Sequence, residues 1–122
     1  MTNPTKTYDL MERTGRFGEN IIRLCRALVK NNETVIITKQ LTRSATSIGA
    51  NYMEANAPSS RKDFRNKILI CKKESQETMH WIRMLAASTG NPSADLKKLW
   101  QEAHELTMIF QTITNTLYKS DE

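Results

Sequence analysis

Carboxylate and histidine side chains at helical spacing raise the first chemical possibility, a di-metal site. Residues 77 to 80, Glu-Thr-Met-His, form a Glu-x-x-His motif, and di-metal carboxylate bundles need that motif on two helices plus a single Glu from each of two others. Glu19 and Glu54 could supply the single carboxylates. A second motif is missing, because the residue three before His104 is Gln101, whose amide is a poor iron ligand. A di-metal carboxylate oxidase is therefore a remote alternative, and we predict no metal and no cofactor.

Other catalytic arrangements are also missing from the sequence. Cys25 and Cys71 each lie among helix-forming residues, without a neighbouring histidine and without CxxC spacing. The four glycines are isolated, so no Gly-rich loop could hold a phosphate group. We predict that the protein is not an enzyme and takes no small-molecule substrate.

The two cysteines and the lengths of the apolar segments also predict the cellular location of the protein. Two thiols without an evident partner are typical of buried cysteines in a reducing compartment. No apolar run reaches membrane-spanning length, and residues 1 to 17 have neither an apolar leader nor a transit-peptide pattern. These observations predict a cytoplasmic protein that does not enter a membrane.

Rows of cations are the stronger chemical signal. One row lies on the first predicted helix and one on the third, each on a single helix face. Such rows bind phosphate groups through counterion release and do not read bases. No recognition helix or RNA-domain motif accompanies them, so we predict no sequence-specific reading. The predicted nucleic-acid-binding residues are Arg16, Arg23, Arg26, Lys30, Arg61, Arg65 and Lys72.

Charge is distributed unevenly along the chain, whose net charge is +5. Residues 1–56 carry a net charge of +3, residues 57–90 carry +4, and residues 91–122 carry −2. This pattern suits RNA or a nucleoprotein as partner, or an assembly in which the acidic segment meets a basic one of another copy. A second interpretation is an interaction scaffold whose basic face binds an acidic protein.

Polar side chains form a column beside the apolar column of the second helix. Because buried polar groups need partners, we predict that this column faces two glutamates of the third helix or a neighbouring subunit, and that it fixes register and subunit number. The alternative is a solvated stripe beside the core. The predicted polar seam comprises Gln40, Arg43, Ser44, Ser47, Asn51, Glu54, Glu74 and Glu77.

Apolar residues that alternate three and four apart predict the elements that carry these side chains. Four helices are expected at about 9–30, 34–56, 60–87 and 92–118, within a single domain spanning 1–122. Short loops between long helices favour an all-α, antiparallel up-down-up-down four-helix bundle. Predicted helix ends are a capping box at Asp9 with Glu12, another at Ser60 with Asp63, a C-cap at Gly90, and an N-cap at Asn91 before Pro92.

Extra apolar residues widen the core stripe of two helices. The first helix adds Met11, Ile22, Cys25 and Val29, and the third adds Leu69, Ile70, Met79, Trp81 and Met84. A second apolar face on a small bundle favours self-association with another copy. The alternative is that these residues thicken the core of one chain.

Two segments of the sequence resemble a known family. LTRSATSIGANYMEA followed by SRKDFRNKILICKKESQETMHWIRML is similar to the 23S rRNA-intervening-sequence protein family. Its pattern in the second helix falls on Gln40, Arg43, Ser47, Ile48, Asn51 and Glu54, and its pattern in the third falls on Asp63, Phe64, Lys73, Glu74, Glu77 and Thr78. Tyr52, Met53 and Ala55 depart from it.

The resemblance implies a ring-like homo-oligomer, typically a pentamer, with no established enzymatic activity and an uncharacterised molecular role. A bundle of similar fold, the accessory protein of diversity-generating retroelements, uses a basic pentameric surface to engage a reverse transcriptase and nucleic acid. By that analogy we expect a homopentamer that binds RNA or a nucleoprotein.

Overall fold

The chain folds into four helices around one core. The structure is a computed structural model that describes residues 9–90 and 93–120. Within that part of the chain it contains α1 (Leu10–Ala27), α2 (Asn32–Ala55), α3 (Arg61–Thr89) and α4 (Ala94–Ser120), and no strand. The predicted all-α class and the four helices are therefore confirmed. None of these helices combines the length and apolar character needed to cross a bilayer.

The first helix begins without the predicted capping box. Asp9 makes no side-chain hydrogen bond to the helix backbone, because its φ of −82° and ψ of 1° differ from the extended conformation that an N-cap adopts. Glu12 instead accepts a hydrogen bond from Nε of Arg16 at 2.9 Å. That prediction was wrong. α1 also ends earlier than expected, at Ala27.

A capping box that the sequence pattern did not predict starts α2. The Asn31 side chain accepts a hydrogen bond from the backbone N–H of Thr34 at 2.9 Å, and the Thr34 hydroxyl accepts one from the backbone N–H of Asn31 at 2.6 Å. Asn31 is extended, as this motif requires. The Asn-Asn pair after α1 therefore begins the next helix.

The other helix ends agree in part with the sequence signals. The Ser60 hydroxyl accepts a hydrogen bond from the N–H of Asp63 at 3.0 Å, while Asp63 reaches back to the N–H of Ser59. Gly90 ends α3 with a φ of 72°, as predicted. The predicted cap at residues 91 and 92 lies outside the described residues, and the Ser93 hydroxyl accepts a bond from the N–H of Leu96.

Each helix packs against two others. α1 and α3 both contact α2 and α4, and within the described ranges α1 does not contact α3. Along the contact between α2 and α3, residue numbers rise in α2 while they fall in α3. Ser44 contacts Thr78, and Glu54 contacts Lys67. The largest fully buried side chains, which fill the core, are Phe17, Phe110, Leu10, Ile21, Leu41, Ile48, Ile68, Ile82, Leu85 and Leu106.

Several hydroxyl side chains are buried in this core. Thr14, Thr38, Ser75, Thr107 and Thr114 each donate a hydrogen bond to the carbonyl four residues earlier, at 2.6 to 2.9 Å. These bonds remove the cost of burying an unpaired hydroxyl. Among the described residues no buried side-chain nitrogen or oxygen is left without a partner.

Candidate interaction surfaces

Residues at one end of the predicted polar seam form a cluster of ion pairs and hydrogen bonds around Arg43. The Arg43 guanidinium pairs with Glu74 at 3.3 Å and with Glu77, and its Nε donates to the Gln40 side chain at 3.0 Å. Glu77 also accepts a hydrogen bond from Nε1 of Trp81 at 2.9 Å. The Glu74 side chain is only 15% exposed, so a cation beside it lowers the cost of burying its charge. Four seam residues are thus brought together across α2 and α3.

The remaining seam residues have different partners. Ser44 is fully buried and accepts a hydrogen bond from Thr78 at 2.9 Å. The Asn51 amide donates to the carbonyl and the hydroxyl of Ser47, both at 2.9 Å, so these two residues bond within α2. Glu54 lies away from the glutamates of α3 and accepts a 2.6 Å bond from Lys67, which raises the pKa of that lysine.

Two of the three carboxylates considered for a di-metal site, Glu54 and Glu77, pair with cations instead, while the third, Glu19, is exposed. Glu77 contacts Arg43 and Trp81, and Glu54 contacts Lys67. His80 packs edge-on against the Trp81 ring at 4.9 Å, and His104 stacks on the ring of Trp100 at 5.4 Å. No three His, Cys, Asp or Glu side chains come together as metal ligands in residues 9–90 and 93–120.

Both cysteines are buried free thiols. Burial raises the pKa of Cys71 to about 12, and it also raises that of Cys25, with Thr42 and Lys30 acting in the opposite sense. A thiol held in its protonated form is a poor nucleophile. Burial therefore makes both thiols weak nucleophiles near neutral pH.

The two predicted cationic rows are separated in the described bundle, because α1 and α3 do not touch, and Lys30 lies beyond the end of α1 at Ala27, not on the predicted helix. Arg16 pairs with Glu12, Arg23 donates to the Asn20 side chain at 3.0 Å, and Lys30 donates to the Cys25 carbonyl at 2.7 Å, while Arg26 is exposed. On α3, Arg61 donates to the Ser120 hydroxyl, Arg65 lies 5.2 Å from the centre of the Tyr118 ring, and Lys72 is half-buried. Since α1 and α3 are diagonal in the described bundle, one chain carries two separate rows.

Two cations that the sequence pattern did not single out lie beside the α1 row. Lys98 of α4 lines a groove with Arg23, and Lys39 of α2 lines another with Arg26 and Lys30. Neither lysine belongs to a row of cations on its own helix. Only the packing of the helices shows that both lysines lie beside the cations of the α1 row. We call Arg16, Arg23, Arg26, Lys30, Lys39 and Lys98 the α1 basic surface.

An apolar groove of about 330 Å³ runs between α1 and α2 on the outside of the bundle. Its walls include Met11, Ile22 and Met53, whose exposed fractions are 42%, 37% and 58%. Large apolar side chains that stay in water beside a groove are typical of binding surfaces. The residues that line this α1/α2 groove are Met11, Thr14, Gly15, Gly18, Glu19, Ile22, Thr46, Gly49, Ala50 and Met53.

Glycines form much of the floor of the α1/α2 groove. A Cβ atom added at Gly15 would meet nothing within 4 Å, and one added at Gly18 or Gly49 would make ordinary contacts of 3.5 Å or more. Alanine would therefore fit at all three sites, and each glycine costs its helix about 1 kcal/mol relative to alanine. No contact within the described part of the chain explains this cost.

The other extra apolar residues divide between core and surface. Cys25 is buried, and Met79 and Trp81 pack against the core, as in the core-thickening alternative. Val29 and Ile70 are exposed, like Met11 and Ile22, while Leu69 and Met84 are half-buried. On α4, Trp100 and Met108 are also exposed, and His104 and Met108 line a groove of about 580 Å³ that α4 shares with Leu10 and Arg13 of α1.

Residues 6–112 of the chain match the family model of the 23S rRNA-intervening sequence protein. The chain belongs to that family. This 23S rRNA-intervening sequence family member is also similar to a solved structure of a protein of unknown function from the S23 ribosomal protein family of Bacteroides thetaiotaomicron VPI-5482. The two chains are 30% identical with a TM-score of 0.78, and the match covers 86% of this chain and 97% of the other. No curated protein matches.

Proposed function

We propose that this family member is a non-enzymatic, self-associating helical bundle in which the α1/α2 groove is buried by another copy. The observation that carries the proposal is the groove itself, where the exposed Met11, Ile22 and Met53 lie beside Gly15, at which an added Cβ would meet nothing within 4 Å. Small residues let helix backbones approach closely, and methionine side chains adapt to a partner surface.

The proposed assembly is a homo-oligomer of antiparallel up-down-up-down bundles, with the ring of five that the family resemblance implies. Opposite numbering trends of contacting residues in α2 and α3 support the antiparallel order. A cytoplasmic location fits the two free, buried thiols, which need a reducing compartment.

A second candidate function is the binding of RNA or a nucleoprotein through the α1 basic surface. It is supported by the lysines of α2 and α4 that lie beside the cations of α1, and by the net charge of +5. The competing partner is an acidic protein bound by the same cations.

Absolute mass by light scattering tests self-association. The wild type should exceed the 14.0 kDa of one chain several-fold. Met53→Gln in the groove wall should reduce that mass, because it places an amide at the proposed contact. Ile70→Gln makes the same kind of change at an exposed residue of α3, and it should keep the wild-type mass. A wild-type mass of one chain would reject the proposal.

A further inference from the structure

We propose that the outer face shared by α3 and α4 binds single-stranded nucleic acid, with a base of the ligand stacked on Trp100. We call this surface the α3/α4 face and define it as Arg65, Lys72 and Arg83 of α3 with Trp100 and Tyr118 of α4. The inference rests on the nucleic-acid binding of the second candidate function. It adds a second surface, apart from the α1 basic surface, and it names the class of strand that this surface takes.

Contacts between α3 and α4 establish which of their residues lie side by side. The Arg65 guanidinium lies 5.2 Å from the centre of the Tyr118 ring. Further along α3, the sulfur of Met79 accepts a hydrogen bond from the Thr107 hydroxyl at 3.6 Å. Residue numbers therefore rise along α3 while they fall along α4, and residues of the two helices meet in reverse order.

Cations of α3 and aromatic rings of α4 repeat over the same interval. Arg83 follows Arg65 by 18 residues, and Trp100 precedes Tyr118 by 18 residues. That interval is five complete turns and about 27 Å, so it returns to the same face of each helix. Arg83 therefore lies beside Trp100 at one end of the α3/α4 face. Arg65 and Tyr118 form the other end, and Lys72, about two turns after Arg65, lies between the ends.

The carboxylates of α3 and α4 in the described residues face other parts of the bundle. On α3, two glutamates pair with Arg43 of α2, and Asp63 accepts a backbone N–H at the start of its own helix. On α4, two glutamates pair with Arg13 of α1, and Asp95 lines a groove with residues of α1. The α3/α4 face is left with its cations, and such a surface attracts phosphate groups.

The aromatic rings distinguish a single strand from a duplex. The Trp100 indole is 36% exposed and stacks on the His104 ring at 5.4 Å, with an angle of 5° between the two planes. The protein thus holds the indole in place while part of the ring stays in water. Unpaired bases of any sequence can stack on such a ring, and cations beside it bind the phosphates. Bases inside a duplex are already stacked on one another, so a duplex would use the cations alone.

Tryptophan fluorescence tests whether a base reaches Trp100. The chain has two tryptophans, and Trp81 packs against the core and donates to Glu77, so it serves as an internal reference. An oligouridylate of about 12 nucleotides should quench the emission of the wild type. A duplex of the same oligouridylate with oligoadenylate should not. In Trp100→Phe, the remaining emission from Trp81 should respond to neither ligand.

Affinities for the labelled oligouridylate, measured by fluorescence anisotropy, test the stacking and the charge separately. Trp100→Leu keeps an apolar side chain without a ring and should weaken binding about 5-fold to 150-fold, as for the loss of one stacked base. Trp100→Phe keeps a ring and should stay within about 5-fold of the wild type. Arg83→Gln should lower the slope of log affinity against log salt by about 0.7, and Arg83→Lys, which keeps the charge, should not.

The outcomes separate this inference from the nucleic-acid binding on which it rests. Binding of the single strand without quenching of Trp100 overturns the inference alone, and so does equal affinity of Trp100→Leu and the wild type. A duplex bound as tightly as the single strand also overturns it and leaves the α1 basic surface as the candidate. No binding of either ligand overturns both. Circular dichroism checks the helix content of each variant, and quenching in the wild type needs no variant at all.

Discussion

At the scale of single residues, Arg43 shows how one cation organises a polar surface. It contacts two carboxylates and an amide on two helices, and one of those carboxylates, Glu74, is mostly removed from water. Removing one partner of such a pair leaves a poorly solvated charge. The pair of Glu54 and Lys67 is more exposed at its carboxylate and is expected to matter less.

The sequence predicted part of this surface and not the rest. Glu74 and Glu77 could be placed opposite Arg43 because carboxylates near a buried face need a cation. The internal bonds of Asn51 and Ser47 could not be predicted, since an amide can bond either within its own helix or across to another, and only packing decides between them.

Cys71 should make stability depend on pH in the alkaline range. Its pKa rises from 9.0 when unfolded to about 12 when folded because the thiol is buried. Between these values the unfolded state loses its proton first, so stability is fully present below pH 9 and falls above it. The expected decrease from pH 7 to pH 10 is on the order of 1 kcal/mol. Urea unfolding at both pH values measures it.

Two core substitutions in α3 check that this pH dependence comes from Cys71, one as the test and one as its matched control. Cys71→Ala removes the thiol and should make the decline in stability with pH shallower by the amount expected for Cys71. Ile68→Val makes a comparably small cavity without changing a titratable group, so it should keep the wild-type pH dependence. Equal pH dependence of wild type and Cys71→Ala would contradict the assignment.

At the scale of elements, the helix starts differ in how they are held. Asn31→Ala should lower the free energy of unfolding by about 1 kcal/mol, because it removes the side-chain acceptor for the N–H of Thr34. Asp9→Ala should have little effect, since Asp9 makes no such bond. Thermal or urea unfolding of both variants checks the contrast, and equal destabilisation would show that Asp9 caps α1 in solution.

Helix existence could be predicted and helix ends only partly. Apolar spacing is repeated over whole helices, so the four elements follow from many residues at once. A cap depends on the φ and ψ of one residue, and Asp9 and Asn31 are both good N-cap residues by type. Only the backbone conformation distinguishes them. The glycine at 90 was predictable because a left-handed residue strongly favours that type.

At the scale of the whole molecule, the proposed binding of RNA to the α1 basic surface can be tested through its dependence on salt concentration. Arg23→Gln/Lys98→Gln should weaken binding to a structured RNA and lower the slope of log affinity against log salt by about 0.7 to 0.9 for each phosphate group that is no longer bound. Lys62→Gln/Lys119→Gln is the matched control, because it also removes two exposed cations, outside the α1 basic surface, and it should leave the slope unchanged. An unchanged slope in the double variant would show that the α1 basic surface does not bind the RNA.

Which surfaces adjoin one another could not be predicted, because periodicity gives the faces of each helix and not the order of helices around the core. The two cationic rows were expected to act through α1 and α3 together. Their helices are diagonal in the described bundle, while Lys39 and Lys98 come from the helices that adjoin α1.

The diagonal placement of α1 and α3 gives the proposed binding of polyanions a consequence for valency. With cationic rows at opposite corners, a polyanion that followed one row would not cover the other, which could then bind a second strand. A chain of this design would cross-link polyanions in preference to enclosing one, and each added subunit would multiply the attachment points and raise avidity without any new contact.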